Sequence, residues 1–469
     1  MAYLLTPSER IARGQQRRKQ MPRVNHAKWD ARQRRENPMK LMAASMRGRV
    51  PPLVVLKYER MAASPFGFFR GAVPVMAYDL SLVGATGLLC QLCGDAHVRN
   101  LGAFAAPDGR LVFDINDFDE TIAGPFEWDV KRMAASLMLA GREAGAWDQD
   151  CVEAAREFVA SYRTRMLEFA QMPVLELARY QVHRLQGPVK SVLRLAERAV
   201  PAHTLETLTE ARERRNAKSA KKKAPESMKA NKVKTATKSG NAQARIFKSN
   251  PPVLTRLTGA IAEKVIHSLG RYVECLQPEQ KHFLAQYRPV DVAFKVVGTG
   301  SVGLRDYCVY MEGNGPDDPL FLQIKEEVES GYAPYLKASR RQHQGQRVVE
   351  GERAMQVQSD PFLGWTTLEG RDYLVRQLND HKATIEIEDL KAAGLTEYAE
   401  VCGELLARGH ARSGACLEIA GYLGGSARFD DAIVKFAEVY ANQTEADWKA
   451  LVASMKKTVK KKAVKKSKS

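Results

Sequence analysis

No stretch of the 469-residue chain reaches the roughly 18 consecutive apolar residues that a membrane span needs, so no integral helical membrane protein is expected. The chain turns polar at Thr6-Pro-Ser-Glu-Arg10 before any long apolar region, which argues against a secretory signal. Cysteine is sparse and odd in number, seven in all, and does not read as a disulfide framework. A reducing cytoplasm is the expected compartment. No internal repeat is visible. What remains is an ordinary globular balance, 45% hydrophobic and 27% charged, with room for two or three domains at about 150 residues each.

The net charge of +18 is unevenly spread. Residues 1–50 hold 13 Lys/Arg against 3 acids, residues 212–248 hold 13 against 2, and residues 456–469 hold eight lysines and no acid. The rest of the chain is therefore acidic. Basic runs of this kind are usually solvated and disordered, and they bind polyanions without sequence preference. The composition predicts a basic helical arm at 1–57, a flexible basic linker at 206–250 and a disordered lysine tail at 454–469. Weak binding of nucleic acid or anionic surfaces is the partner expectation for linker and tail. A solubility role with no partner is the equal alternative.

Two polar motifs, each following an apolar strand, carry the chemistry. The first is Gly94-Asp-Ala-His-Val-Arg-Asn100; the second is Leu111-Val-Phe-Asp-Ile-Asn-Asp-Phe-Asp-Glu120. Asn and Asp oxygens at strand ends can hold a divalent ion while another Asp accepts a proton. One such motif alone would read as a capped turn. Two within 27 residues favour a site.

The spacing matches the kinase template, in which a catalytic-loop Asp is followed five residues later by a metal-binding Asn and then by an Asp-Phe-Gly aspartate. Asp95, Asn100 and Asp117 occupy those positions, with Asp119 in place of the glycine. The Gly-Asp-x-His form resembles the aminoglycoside and choline kinase branch, which makes Asp129 the expected brace of the catalytic loop. His97 either orients that loop or is a turn histidine. Farther on, Gly298-Thr-Gly-Ser-Val-Gly303 follows a strand. A dinucleotide fold would open a helix here, but Tyr307-Cys-Val-Tyr310 is strand material. Strand–loop–strand resembles the kinase lid over ATP phosphates, with Gly298, Gly300, Ser301 and Gly303 as the lid and Lys325 as the phosphate anchor. Glu350 is the expected ion-pair partner of Lys325, with Glu352 the alternative. Arg70, His410 and Arg412 rank below these, and Cys90-x-x-Cys93 reads as two packed thiols.

The glycine loop and lysine come about 200 residues after the catalytic motif, the reverse of the kinase order. This suggests a circularly permuted, bilobed kinase-like fold of the α/β (α+β) class. The expected units are a catalytic-loop lobe at 58–205, a nucleotide lobe at 251–390 and a helical segment at 391–453 that completes the first. Ser64-Pro-Phe-Gly-Phe-Phe-Arg-Gly71, Leu92-Cys-Gly-Asp-Ala-His97, Phe113-Asp-Ile-Asn-Asp-Phe-Asp-Glu120 and Leu406-Ala-Arg-Gly-His-Ala-Arg-Ser-Gly414 together resemble the bacterial domain-of-unknown-function 2252 family over about residues 50–450. That family is similar to the kinase-like superfamily, so the resemblance implies a fold more than a reaction.

The expected activity is ATP- and Mg²⁺-dependent transfer of a phosphoryl group to a small-molecule hydroxyl. Asp95 would be the base, with Asn100, Asp117 and Asp119 as metal ligands. The short run from Asp117 to Gly124 leaves no peptide platform, which favours a small acceptor. A non-catalytic nucleotide- or nucleic-acid-binding protein and a nucleotidyltransferase are the rivals. A metallophosphoesterase is weaker, because the nine histidines form neither Gly-Asn-His nor Gly-His-x-His.

Overall fold

Helix formation starts where the sequence supplies caps. In the computed structural model, which describes residues 5–182, 187–212, 244–296, 298–336, 342–378, 381–391 and 393–466, Thr6 and Glu9 form a capping box that opens α1 (Pro7–Gln20). Proline in the first turn, where a missing N–H costs nothing, starts α2 (Pro38–Ser45), α3 (Pro51–Ala62), α4 (Pro65–Gly71) and α5 (Val73–Ser81). Four short strands follow: β1 (Leu89–Leu92), β2 (Leu101–Ala105), β3 (Leu111–Ile115) and β4 (Ile122–Pro125). β1 pairs with β4 and β2 with β3, both antiparallel, so the two acidic motifs are the connections within this small unit.

Helices α6 (Glu127–Ala144), α7 (Asp148–Phe169), α8 (Val174–Arg179), α9 (Pro188–Arg198) and α10 (Pro201–Leu208) come next. In α6 every residue from Glu127 to Gly141 is buried, Glu127, Asp129, Lys131 and Arg132 among them, so this is a central helix covered on all sides.

The second half begins with β5 (Thr209–Ala211), β6 (Arg245–Phe247) and β7 (Leu254–Leu257), then α11 (Ala260–Glu274) and α12 (Pro278–Leu284). β8 (Arg288–Lys295), β9 (Asp306–Glu312) and β10 (Pro319–Glu327) form a meander, followed by α13 (Gln344–Met355), β11 (Gly364–Leu368), β12 (Arg371–Gln377) and β13 (Ala383–Thr384). The main sheet is six-stranded in the order β11-β12-β10-β9-β8-β7, with antiparallel neighbours throughout. Val309, Leu322, Ile324 and Val375 pack on one face against Val265, Leu269 and Tyr272 of α11. Closing the chain are α14 (Ala393–His410), a π-helical turn at 411–415, α15 (Cys416–Leu423) and α16 (Arg428–Lys466).

The architecture is mixed α/β with several sheets. Residues from both ends of the chain share one core: Val130, Leu137 and Phe158 pack in the same cluster as Tyr398, Leu405, Phe429 and Phe436. Among the described residues no helix is long and apolar enough to cross a membrane.

Three expectations about the basic segments change. The N-terminal arm is docked rather than solvated. Arg18 donates to the carbonyls of Gly421 and Tyr422, and Arg23 to that of Leu423, satisfying the end of α15, while Arg10 pairs with Glu418 at 2.9 Å. The basic linker does not bridge two lobes, because its flanks β5 and β6 pair with each other and Arg212 N donates to Ala244 O at 2.7 Å. Residues 213–243, most of the basic stretch, lie outside the described residues. The lysine tail is helical to Lys466 as an extension of α16, with only 467–469 outside the described residues.

Candidate active site

The β1–β2 connection carries Asp95. Its first turn needs glycine: Gly94 has φ +85°, and a Cβ there would lie 2.1 Å from Glu120 O. The Asp129 carboxylate, in the first turn of α6, accepts the backbone N–H of Cys93 at 2.8 Å and of Gly94 at 3.1 Å. His410 Nε2 meets the same carboxylate at 3.2 Å, and its Nδ1 meets Tyr162 Oη at 2.8 Å. Asp129 is therefore placed as the brace of this loop, and His410 supports the brace from within the core.

Asp95 itself is anchored by Arg132, the fully buried cation of α6. Arg132 Nε donates to Asp95 Oδ1 at 2.7 Å, and its guanidinium stacks 4.3 Å from the Phe69 ring. Asp95 Oδ2 is left toward the cleft, 3.6 Å from His97 Nε2. His97 Nδ1 accepts from Arg99 N–H at 3.2 Å. Burial, together with Arg70 and Arg132 nearby, holds the imidazole pKa well below its ordinary value, so the ring is neutral. The Asn100 amide nitrogen donates to Asp95 O at 2.8 Å, which leaves its carbonyl oxygen as the group able to bind a cation.

The β3–β4 turn carries Asp117 and Asp119. Asn116 N donates to Asn100 O at 2.9 Å, tying this turn to the first. From α13, Arg347 grips its backbone, donating to Asp119 O at 2.8 Å and Thr121 O at 2.6 Å. The main sheet supplies the side chains that face it. Along β10, Gln323, Lys325 and Glu327 alternate onto one face, and the cross-strand partners Asp306 on β9 and Arg376 on β12 share that face. Lys325 Nζ lies 2.5 Å from Asp119 Oδ2 and 3.7 Å from Asp117 Oδ1. Burial opposes the Lys325 charge, but the two carboxylates outweigh it and hold the ammonium pKa above its usual value. Lys325 in turn holds Asp119 below the carboxylate range in spite of burial. Asp117 moves the other way: burial and the Asp119 charge push it up to about 6. Its buried Oδ1 has no hydrogen-bond partner.

The β8–β9 loop closes the cleft. Ser301 Oγ donates to Asp119 Oδ2 at 2.8 Å, and Gly298, Gly300 and Ser301 line the opening. Gly303, at φ +93°, turns away; its carbonyl accepts from Val50 N at 2.7 Å. The enclosed space is about 680 Å³ and is bordered by Asp95, His97, Asn100, Asp117, Asp119 and Lys325.

Eleven residues were expected at the site, and nine of them border this cleft; Gly303, which turns away, and Glu350 do not. Glu350 lies on the exposed side of α13, where it accepts from Gln342 and Gln346. Glu352, the alternative, is buried but faces Arg376 and Asp360, and burial pushes it up to about 7. Lys325 needs neither, because the turn it reaches already presents two aspartates. Sequence reasoning missed Arg132, Arg347, Arg376 and Lys57. For Arg132 a signal existed, two cations inside the apolar run Val130-Lys-Arg-Met-Ala134; the others come from distant segments with no motif around them.

The donor set suits a hard cation: one orphaned carboxylate oxygen on Asp117, the Asn100 carbonyl and the neighbouring Asp119. Among the described residues no cluster of three or more His, Cys, Asp or Glu is preformed for a metal.

Comparisons with curated proteins and with solved structures gave no significant match. Residues 49–454 match the model of a family described as "Uncharacterized protein conserved in bacteria (DUF2252)". The match runs from Arg49 to within α16 and encloses Asp95, Asn100, Asp117, Asp119, Lys325 and the glycine loop, and the chain belongs to that family.

Proposed function

We propose that this protein is a kinase-like phosphotransferase that moves the γ-phosphate of ATP, with Mg²⁺, to a hydroxyl of a small acceptor. The observation that carries the reading is the meeting of Asp95, Asn100 and Asp117 with Lys325 and the glycine loop in one cleft, although some 200 residues separate the two sets. The order within the sheet supports it further. The glycine loop joins the first two strands of the meander, Lys325 is on the third, and a helix, α13, precedes the next strand. This order supports the reading, because a kinase follows its glycine loop with a lysine strand and a regulatory helix, and a circular permutation would leave that set after the catalytic motifs.

Asp95 would take the acceptor proton at Oδ2, with Arg132 fixing the other oxygen and the neutral His97 ring 3.6 Å from the carboxylate. Asn100 and Asp117 would hold Mg²⁺, with Asp119 beside them. Bound Mg·ATP supplies the transferable phosphoryl group and the charge that Lys325 and the loop amides offset. The short Asp117–Gly124 run, held down by Arg347, leaves no extended platform for a folded protein acceptor.

A thermal-shift series with ATP, GTP and ADP, each with and without Mg²⁺, tests the reading. Mg·ATP should stabilise the full chain more than ATP alone. Asp117→Asn should lose the Mg²⁺ increment and any turnover while keeping its circular dichroism. Stabilisation by NADH with none from ATP would refute it. Label transferred from the α- rather than the γ-phosphate would reassign the chemistry to nucleotidyl transfer.

A further inference from the structure

One wall of the cleft is formed by the segment between α2 and α4, and among the described residues Arg49, Lys57 and Arg70 have no carboxylate at ion-pair distance. Lys57, on α3, is almost completely buried, and its hydrogen-bond partner among the described residues is the carbonyl oxygen of Gly300. Arg49 donates to two carbonyls, Val302 O at 2.7 Å and Ser45 O at 3.1 Å. Arg70, at the end of α4, has its Nε 3.4 Å from His97 Nε2. That contact brings Arg70 no counter-charge, because the buried imidazole is neutral. The Arg70 guanidinium lies under the start of the glycine loop, and its Nη2 is 3.8 Å from where a Cβ on Gly298 would be.

The nearby carboxylates are already committed elsewhere. Asp95 is held by Arg132, Asp119 by Lys325 and Ser301, and Glu120 by the Gly331 N–H at 2.6 Å. Asp117 has one free oxygen, but it faces Lys325. Buried charges in proteins are normally paired, because an isolated one loses its hydration with nothing in return. Burial, with Arg49 beside it, accordingly depresses the Lys57 pKa well below normal. A cavity lined by unpaired, largely buried cations is a site that an anion completes.

We propose that Lys57 and Arg70 form an oxyanion subsite that takes a phosphate or similar group already present on the acceptor. This deepens the phosphotransferase reading and rests on it for the word acceptor, while the subsite itself does not depend on it. The location sets the assignment. Arg70 Nε lies 3.4 Å from the same His97 Nε2 that is 3.6 Å from Asp95 Oδ2, the oxygen the hydroxyl must meet, whereas Lys325 is paired with Asp119. An anionic handle bound there would place its hydroxyl against Asp95 Oδ2.

The test uses the full chain and inorganic phosphate, titrated calorimetrically with and without a saturating non-hydrolysable Mg·ATP analogue. Phosphate should bind in both conditions. Arg70→Gln and Lys57→Met should each weaken it by roughly ten-fold or more, the loss of one charge-assisted hydrogen bond. Arg70→Lys, which keeps the charge and guards against a folding defect, should fall between. Unliganded melting curves establish that each variant is folded. Phosphate binding that competes with the nucleotide analogue would assign these cations to the nucleotide and overturn the proposal, as would unchanged affinity in all three variants or no binding to the native chain. If phosphate binding depends on Arg70 and Lys57 but no nucleotide binds at all, the subsite stands and the phosphotransferase reading falls.

Discussion

The two acidic turns differ in who holds them. The Asp95 turn is held mainly from the helical side: Asp129 takes its backbone, and Arg132, from the same helix, takes its carboxylate. The Asp117–Asp119 turn is shared. Its backbone is gripped by Arg347 of α13, and its carboxylates reach Lys325 of the sheet and Ser301 of the glycine loop. One turn is braced within its own block, and the other joins blocks. Asp95 is anchored on one oxygen by Arg132, as the proposed proton transfer would need, while Asp117 keeps an oxygen free for a cation.

Removing the shared cation should have the largest effect. Lys325→Ala leaves Asp117 and Asp119 facing each other without their main counter-charge, a cost of roughly 3–5 kcal/mol for a broken buried pair. Denaturant unfolding would read this as a lower midpoint together with loss of the Mg·ATP response. A loss no larger than that of a surface substitution would mean that the turn is not a joint between blocks.

Breaking the brace of the other turn comes second. Asp129→Asn sets an NH₂ group against a backbone N–H and weakens the bond to His410, for about 2–3 kcal/mol. Hydrogen exchange at Cys93 and Gly94 should accelerate while the Lys325 strand stays protected. Equal acceleration in β10 would show that the two turns unfold as one unit and would erase the distinction.

The smallest effect sharpens the sheet side of the comparison. Asp306, opposite Lys325 on β9, is buried with one oxygen unpartnered, and burial pushes its pKa up to about 6. Between about pH 4 and pH 6 the native state keeps a proton that the unfolded chain has released. The stability tied to that proton is therefore present below about pH 4 and lost as pH rises through 6. Asp306→Asn should flatten this part of the stability–pH profile and gain on the order of 1–2 kcal/mol at pH 8. An unchanged profile would mean that Asp306 is ionised and compensated in the native protein.

Local sequence was enough to place the acidic residues on turns. Apolar runs of four to five residues flank both motifs and became β1 to β4, and Gly94 and the Asp-Phe-Asp turn sit where a strand cannot continue. The strand character of Tyr307-Cys-Val-Tyr310 was likewise legible, because β-branched and aromatic residues alternate there with no helix period. The docking of the arm was not legible. Arg10, Arg18 and Arg23 read as a solvated basic run; only α15, some 400 residues away, gives Arg10 its partner in Glu418 and turns Arg18 and Arg23 into caps of its last carbonyls.

What the sequence determined by itself is the chemical inventory and the local turn that presents each piece: Asp95 and Asn100 five apart, Asp117 after a strand, and a lysine ending an apolar strand. Tertiary structure decided the pairings. Lys325 met Asp119 rather than Glu350, since the face of a strand is set by its alternation but its partner by how blocks pack. The same packing left Lys57 and Arg70 with no carboxylate at ion-pair distance among the described residues, because hydrophobic burial positions a helix by its apolar side and carries its charges along. Periodicity records which side of an element is buried, and it holds no record of what waits on the other side.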